Sequence, residues 1–294
     1  QKTAYEIYQC DWSSDVCSSD LAVAELIARH GGSAYVSDAG SDAGVRAAAE
    51  VLRARAIDVD VGRHDLARIA RAVAVVASPG VPPTAPPLVT ASRAGIPIVS
   101  EVEAALNFLP AGTRYIATTG TNGKTTVTAL IHHLLAALGT NAVAAGNIGT
   151  PVSALAMEAH PPEWIALEMS SFQLHDTPSI APVVGVLTNL APDHLDRYAS
   201  LDDYYGDKML MFANATPRSR WVTNADDMEI QRRARGVIGK HHRFSLDASR
   251  DRSVPGGQPS CEGVADLRTG ALSLFGTGLD RKSTRLNSSH TDIS

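Results

Sequence analysis

Short β-rich runs alternate with Ala- and Leu-rich stretches of helical period along most of this 294-residue chain. That alternation predicts an α/β fold with a mostly parallel sheet. A helical run over 21–30 is stopped by Gly31 and Gly32. Strands are predicted at 34–37, 56–61, 73–77 and 96–100, with helices at 44–55 and 65–71 and a shorter apolar stretch near 88–94. A helix from Glu101 leads into Pro110, Ala111 and Gly112, which read as a linker between a unit at 21–110 and a second at 111–279. The second unit predicts a strand at 114–118, a helix at 127–137, then strands at 142–145, 164–168, 183–188 and 221–223, and a helix from about Leu201. Beyond about 243 the pattern is short strands with polar turns, and no internal repeat is present.

The first unit opens on a helix with no strand ahead of it, whereas a Rossmann-like domain starts with a strand and a Gly-rich turn. It is therefore read as a partial Rossmann-like domain. The chain's ends sharpen that reading. Residues 10–20 and 280–290 can be encoded by opposite strands of one DNA segment, which resembles a short-read sequencing adapter. Residues 1–20 and 280–294 are accordingly expected to be artefactual tails outside the fold.

Composition changes the picture only a little. The chain carries 26 Lys+Arg against 31 Asp+Glu, a net charge of −5, and it stays mildly acidic without the two end segments. Such a balance offers no electrostatic footprint for nucleic acid or an anionic membrane. No apolar run reaches the roughly 18–20 residues that span a bilayer. Two of three cysteines, Cys10 and Cys17, fall in the first tail, leaving Cys261 and no disulfide framework, which suits a reducing compartment.

Candidate chemistry concentrates in the second unit. Gly120-Thr121-Asn122-Gly123-Lys124-Thr125-Thr126 lies between a predicted strand and a predicted helix. A Gly-rich turn there presents backbone N–H groups to phosphate oxygens; Lys124 adds a point charge and Thr125 a hydroxyl for Mg²⁺. The usual pattern places a glycine where Thr118 stands, so this loop is shorter. Three further strand ends carry polar residues. Asn147, in Gly146-Asn147-Ile148-Gly149, suits a substrate or phosphate, or simply a turn. Glu168 is placed to hold Mg²⁺, or Ser170 and Ser171 merely cap a helix there. Asp193, His194 and Asp196 offer a second metal site. In the first unit, Asp38 and the Ser78-Pro79-Gly80 turn end strands where open α/β sheets bind ligands, although turn capping reads equally well.

Together, Gly120–Thr126, the Gly146 turn, Leu167-Glu168-Met169-Ser170-Ser171-Phe172-Gln173-Leu174, Asp193-His194-Leu195-Asp196-Arg197-Tyr198 and Lys208 resemble the Mur ligases of peptidoglycan synthesis. The Ser170–Leu174 run is most similar to the branch that adds D-glutamate. The resemblance covers essentially all of 21–279. It implies a partial Rossmann-like domain that binds a uridine nucleotide, followed by a truncated P-loop ATPase central domain. It also implies a cytoplasmic, monomeric ATP-dependent amide ligase acting on UDP-N-acetylmuramoyl-L-alanine and D-glutamate through an acyl phosphate. On that basis Gly120–Thr126 bind ATP, with Lys124 also catalytic, and Thr125, Glu168, His194 and Lys208 serve two Mg²⁺. Asn147 and Gln173 face the muramoyl substrate, and Asp38, Ser78 and Gly80 the uridine end. His194 and Lys208 count as catalytic, and Lys208 is expected to be carbamylated; without the resemblance it reads as a solvated lysine. The family's third domain is missing from the chain, so the polypeptide as given is expected to be inactive. The other readings are a ligase adding a different amino acid and a non-catalytic nucleotide-binding module.

Overall fold

The computed structural model describes residues 4–8, 18–195, 197–247, 261–266, 271–274 and 277–279. In the first unit β1 (Ala4–Tyr8), β2 (Ser33–Asp38), β3 (Asp58–Val61), β4 (Ala74–Ala77) and β5 (Ile98–Val99) form a parallel sheet in the order β3-β2-β1-β4-β5. Its helices are α1 (Ser18–Arg29), α2 (Ala43–Ala54), α3 (Leu66–Ile69), α4 (Pro86–Arg93) and α5 (Glu101–Leu106).

The central strand, β1, lies within the segment 1–20 that was expected to be an artefactual tail, and it precedes the helix on which the unit was expected to open. Backbone chemistry supplies the reason. Without a strand between them, β2 and β4 would face a gap with rows of unpaired N–H and C=O groups. Ala4–Tyr8 fills it by main-chain pairing, with Ala4 opposite Ser33 and Tyr5 opposite Ala74. Such pairing asks only for residues that tolerate extended backbone, and Ala-Tyr-Glu-Ile-Tyr supplies them. α1 also starts ahead of the expected helix, and its buried Asp20 accepts a 2.7 Å hydrogen bond from the buried Ser78 Oγ. The other expected tail, 280–294, lies outside the described residues.

The second unit contains β6 (Arg114–Thr119), β7 (Ala142–Gly146), β8 (Trp164–Glu168), β9 (Val184–Leu187), β10 (Arg220–Asn224), β11 (Lys240–Ser245), β12 (Gly263–Asp266), β13 (Ala271–Leu274) and β14 (Thr277–Leu279). They join one sheet in the order β14-β13-β12-β11-β10-β9-β6-β8-β7, parallel from β7 to β12 and antiparallel beyond. Its helices are α6 (Lys124–Ala137), α7 (Val152–Ala156), α8 (Ser171–His175), α9 (Leu201–Met209) and α10 (Met228–Arg233). β8 is buried from Ile165 to Glu168, as expected of a strand covered on both faces.

The two units share a core. Leu26 of α1 and Val102 and Ala105 of α5 pack into the cluster that holds Leu155, Ile165 and Leu167 of the second unit. Polar bonds fix the same seam. Buried Glu101 accepts from Ser153 N at 2.6 Å and from Ser153 Oγ, at the otherwise uncapped start of α7. Ser100 N donates to Asp176 O at 2.7 Å, and Glu103 accepts from Ser179 N and Oγ at 3.0 and 2.7 Å.

Candidate active site

β6 runs through Thr119, so Thr118 is still a strand residue, paired with Glu168 of β8 and accepting from Met169 N at 2.9 Å. That is why no glycine is needed there: the turn proper begins only at Gly120. Gly120 has φ +146, and a Cβ on it would lie 2.0 Å from Thr188 Oγ1, so only glycine fits. Asn189 grips the loop from the neighbouring strand end. Its Oδ1 accepts from Asn122 N and its Nδ2 donates to Asn122 O, each at 2.9 Å, while its carbonyl accepts from Thr121 N at 2.9 Å. The loop then enters α6 at Gly123, φ +81, which has no side chain to cap the helix. The N-termini of α2, α5, α9 and α10 are each capped by their own Asp or Ser. At α6 the first-turn N–H groups are left for an external acceptor. Thr125 and Thr126 are exposed in that turn.

Two lysines converge on one oxygen beneath this loop. Lys124 Nζ donates to Gly120 O at 3.1 Å and Thr121 O at 3.0 Å, and Lys208 Nζ donates to Gly120 O at 2.9 Å. Lys208 is 1% exposed in α9, with its ammonium 4.5 Å from the centroid of the buried Tyr204 ring. Burial and the neighbouring Lys124 push its pKa down to about 7, against a smaller opposing pull from Asp193 and Asp207. Lys208 is thus no solvated surface lysine.

Glu168 ends the neighbouring strand β8. It is 1% exposed; its Oε1 accepts from Asn147 Nδ2 at 2.9 Å, while Oε2 has no partner. Asn147 reaches it because Gly146, φ +101, lets β7 end tightly against β8: a Cβ there would sit 2.2 Å from Glu168 O. A buried carboxylate oxygen without a donor costs free energy unless a cation meets it. The orphaned oxygen, the uncapped helix and the exposed Thr125 hydroxyl therefore fit a magnesium–triphosphate group.

The remaining expected residues divide. His194 adopts φ +51, with its N–H bonded to Asp193 Oδ1 at 2.9 Å and its ring edge-on to Phe172 and Tyr204 at 5.4 and 5.9 Å. Among the described residues no three His, Cys, Asp or Glu side chains gather to hold a metal. An ion here would keep waters or phosphate oxygens as ligands, as Mg²⁺ commonly does. Asp196 lies outside the described residues. Gln173 closes a capping box: its Oε1 accepts from Ser170 N and Oγ at 3.0 and 3.1 Å, and Ser170 Oγ accepts from Gln173 N at 3.2 Å. Asp38 Oδ1 accepts from Gly40 N at 2.6 Å in the turn after β2. Gly80 leaves its Cβ position open, and its carbonyl accepts from Arg197. The structure thus brings Gly120–Lys124, Lys208, Glu168 and Asn147 together, and gives Gln173, Asp38 and Ser78 bonds within their own turns and neighbours.

Residues 118–258 match the Mur ligase middle domain. A UDP-N-acetylmuramoylalanine–D-glutamate ligase from Frankia casuarinae is 41% identical over 78% of this chain and 48% of its own length. One from Pelobacter propionicus is 36% identical over 81% and 53%. The chain belongs to the Mur ligase family. It spans about half the length of the curated relatives it matches. Solved Mur ligases share its fold. A UDP-N-acetylmuramate:L-alanyl-gamma-D-glutamyl-meso-diaminopimelate ligase from Neisseria meningitides has TM-score 0.57 at 16% identity, covering 95% of this chain and 86% of that one. UDP-N-acetylmuramate-alanine ligase from Thermotoga maritima has TM-score 0.52 at 18% identity, covering 95% and 60%.

Several residues of this Mur ligase site were not singled out from sequence. Asn189 and Thr188 hold the loop because β9 neighbours β6, a pairing that strand order alone does not announce. Tyr204 supports Lys208 and lies 3.3 Å from Thr121 Oγ1 through its hydroxyl. Its spacing of four residues from Lys208 on a helix was the available signal. Among the described residues no helix is long and apolar enough to cross a membrane.

Proposed function

We propose that the protein is a cytoplasmic, monomeric ATP-dependent ligase that joins D-glutamate to UDP-N-acetylmuramoyl-L-alanine. The single observation that carries this is a P-loop whose Gly120 carbonyl takes two lysines, next to the strand that ends on Glu168 with its partnerless oxygen. The D-glutamate specificity rests on the names and the 36–41% identity of the relatives. ATP would sit with its β- and γ-phosphates on the uncapped first-turn N–H groups of α6 and on Lys124. Thr125, Glu168 and His194 would hold Mg²⁺, which when bound neutralises phosphate charge. Phosphoryl transfer asks chiefly for such positioning and neutralisation.

Asp38, Ser78 and Gly80 would face the uridine end of the acceptor, and Asn147 and Gln173 the muramoyl end. The acceptor carboxylate would attack the γ-phosphorus, breaking its bond to ADP and forming an acyl phosphate. The amine of D-glutamate would then attack the acyl carbon, and phosphate would leave as the amide forms. Lys208 is suited to carbamylation: with a pKa of about 7 it is largely a neutral amine at mildly alkaline pH. Addition of CO₂ with loss of a proton converts it to an anion that attracts Lys124 and Mg²⁺ instead of repelling them.

The test is phosphate release by the full-length protein with ATP, Mg²⁺ and UDP-N-acetylmuramoyl-L-alanine, comparing D-glutamate, meso-diaminopimelate and L-alanine. Release is expected with D-glutamate alone. Preference for another amino acid would move the protein to a different branch, and nucleotide binding without turnover would make it a binding module.

A further inference from the structure

The units meet again at Arg197, in the loop that carries His194. Its guanidinium donates to three successive main-chain oxygens of the first unit: Nη1 to Pro79 O at 3.3 Å and Gly80 O at 3.1 Å, and Nη2 to Val81 O at 2.7 Å. The same group lies 4.4 Å over the Phe172 ring. Phe172 follows the Glu168 strand, stacks on Tyr198 at 5.3 Å and meets the His194 ring at 5.4 Å. The main chain of Arg197 closes the loop, its N–H donating to His194 O at 3.0 Å. One residue thereby ties together the ends of β4, β8 and β9.

The chemistry is that of a spacer rather than a charge partner. Carbonyl oxygens of a turn need no neutralising, but a rigid planar fork sets where they lie relative to the ring beneath it. A lysine ammonium offers neither the fork nor the flat face. Arg197 and the turn it holds also line a cleft of about 720 Å³ between the units.

We propose that Arg197 is a positioning residue: it sets the distance from the 78–81 turn to the P-loop edge. An acceptor anchored on the first unit by its uridine diphosphate then delivers its carboxylate to the triphosphate on the second. This rests on the ligase reading above. Its signature is selective, because an acceptor without the nucleotide is not held by the first unit and does not register a displaced turn.

The experiment assays the full-length protein, Arg197→Lys and Phe172→Leu with UDP-N-acetylmuramoyl-L-alanine and with N-acetylmuramoyl-L-alanine. With the nucleotide-bearing acceptor, kcat is expected to fall about 10- to 100-fold in both variants, the size of effect that a misplacement of about 1 Å produces, at unchanged KM for ATP. With the truncated acceptor, variants and wild type should agree within about twofold. Equal losses on both acceptors, or no loss on either, would overturn the proposal. A wild-type protein that turns over neither acceptor would instead refute the ligase reading, and the acceptor role with it. A second readout needs no turnover. Spin labels on Arg93→Cys and Arg218→Cys, with native cysteines replaced by alanine, should report one narrow distance that broadens in Arg197→Lys. An unchanged distribution would also overturn the proposal.

Discussion

The ligand-facing edges of the two sheets use similar residues to opposite ends. At the first sheet's edge, Asp38 bonds Gly40 N and Ser78 bonds Asp20, so the side chains build turns and seams. At the second, Glu168 keeps an oxygen without a partner, α6 starts uncapped, and Lys208 is buried beside another cation. The second edge is short of partners that a phosphate and a cation would supply. Position at a strand end is common to both. What separates a site from a turn is unmet hydrogen-bonding and charge.

The largest effect that can break this contrast is at Lys208. Lys208→Ala should lower ligation about 10³-fold or more, as loss of a central electrostatic group does. Acetate or another short carboxylate should restore part of it by replacing the carbamate. Unaltered turnover in the variant would remove Lys208 from the site.

Next comes Glu168→Gln, which keeps the shape and the bond from Asn147. Phosphate release should fall about 10²-fold. The nucleotide-free protein should melt roughly 2–4 °C higher, because a partnerless buried charge is gone. A fall in melting temperature would show that Glu168 is structurally satisfied after all.

A smaller effect lies in pH. Lys208 has a folded pKa of about 7 against 10.5 as a free side chain. The folded state therefore binds fewer protons than the unfolded state between those values. Its penalty on stability is full below pH 7 and is relieved as pH rises from about 7 to 10.5. In CO₂-free buffer Lys208→Met should flatten that rise in melting temperature. An identical slope in both proteins would contradict the shifted pKa.

Much of this was legible in the sequence. The strand–loop–helix frame around Lys124 follows from local pattern and turn chemistry, and so do the strands ending at Asn147 and Glu168. The departure at Thr118 was visible too, although its cause, a strand continuing through Thr119, needed the β6–β8 register. Three things were not legible. The central strand Ala4–Tyr8 is fixed by two neighbours' unpaired backbones, which lie far away in sequence. Gln173 reads as a substrate residue by motif, yet its Oε1 is engaged in a capping box. Asn189, Tyr204 and Arg197 matter through partners 67, 83 and 116–118 positions away, where no local period points.

The smallest expected effects belong to the first edge. Asp38→Ala and Ser78→Ala should each cost about 1 kcal/mol of stability, read by denaturant melts, the usual worth of one such hydrogen bond. Affinity for an ATP analogue should not change. A loss of that affinity would erase the difference between the edges.

Equilibrium titration of a non-hydrolysable ATP analogue, with and without Mg²⁺, tests the central claim most directly. In the wild type and in Asp38→Asn, Mg²⁺ should tighten binding about tenfold or more, equivalent to roughly 1.4 kcal/mol; in Glu168→Gln that gain should vanish. Equal Mg²⁺ dependence in all three proteins would contradict the assignment of the partnerless Glu168 oxygen to a cation.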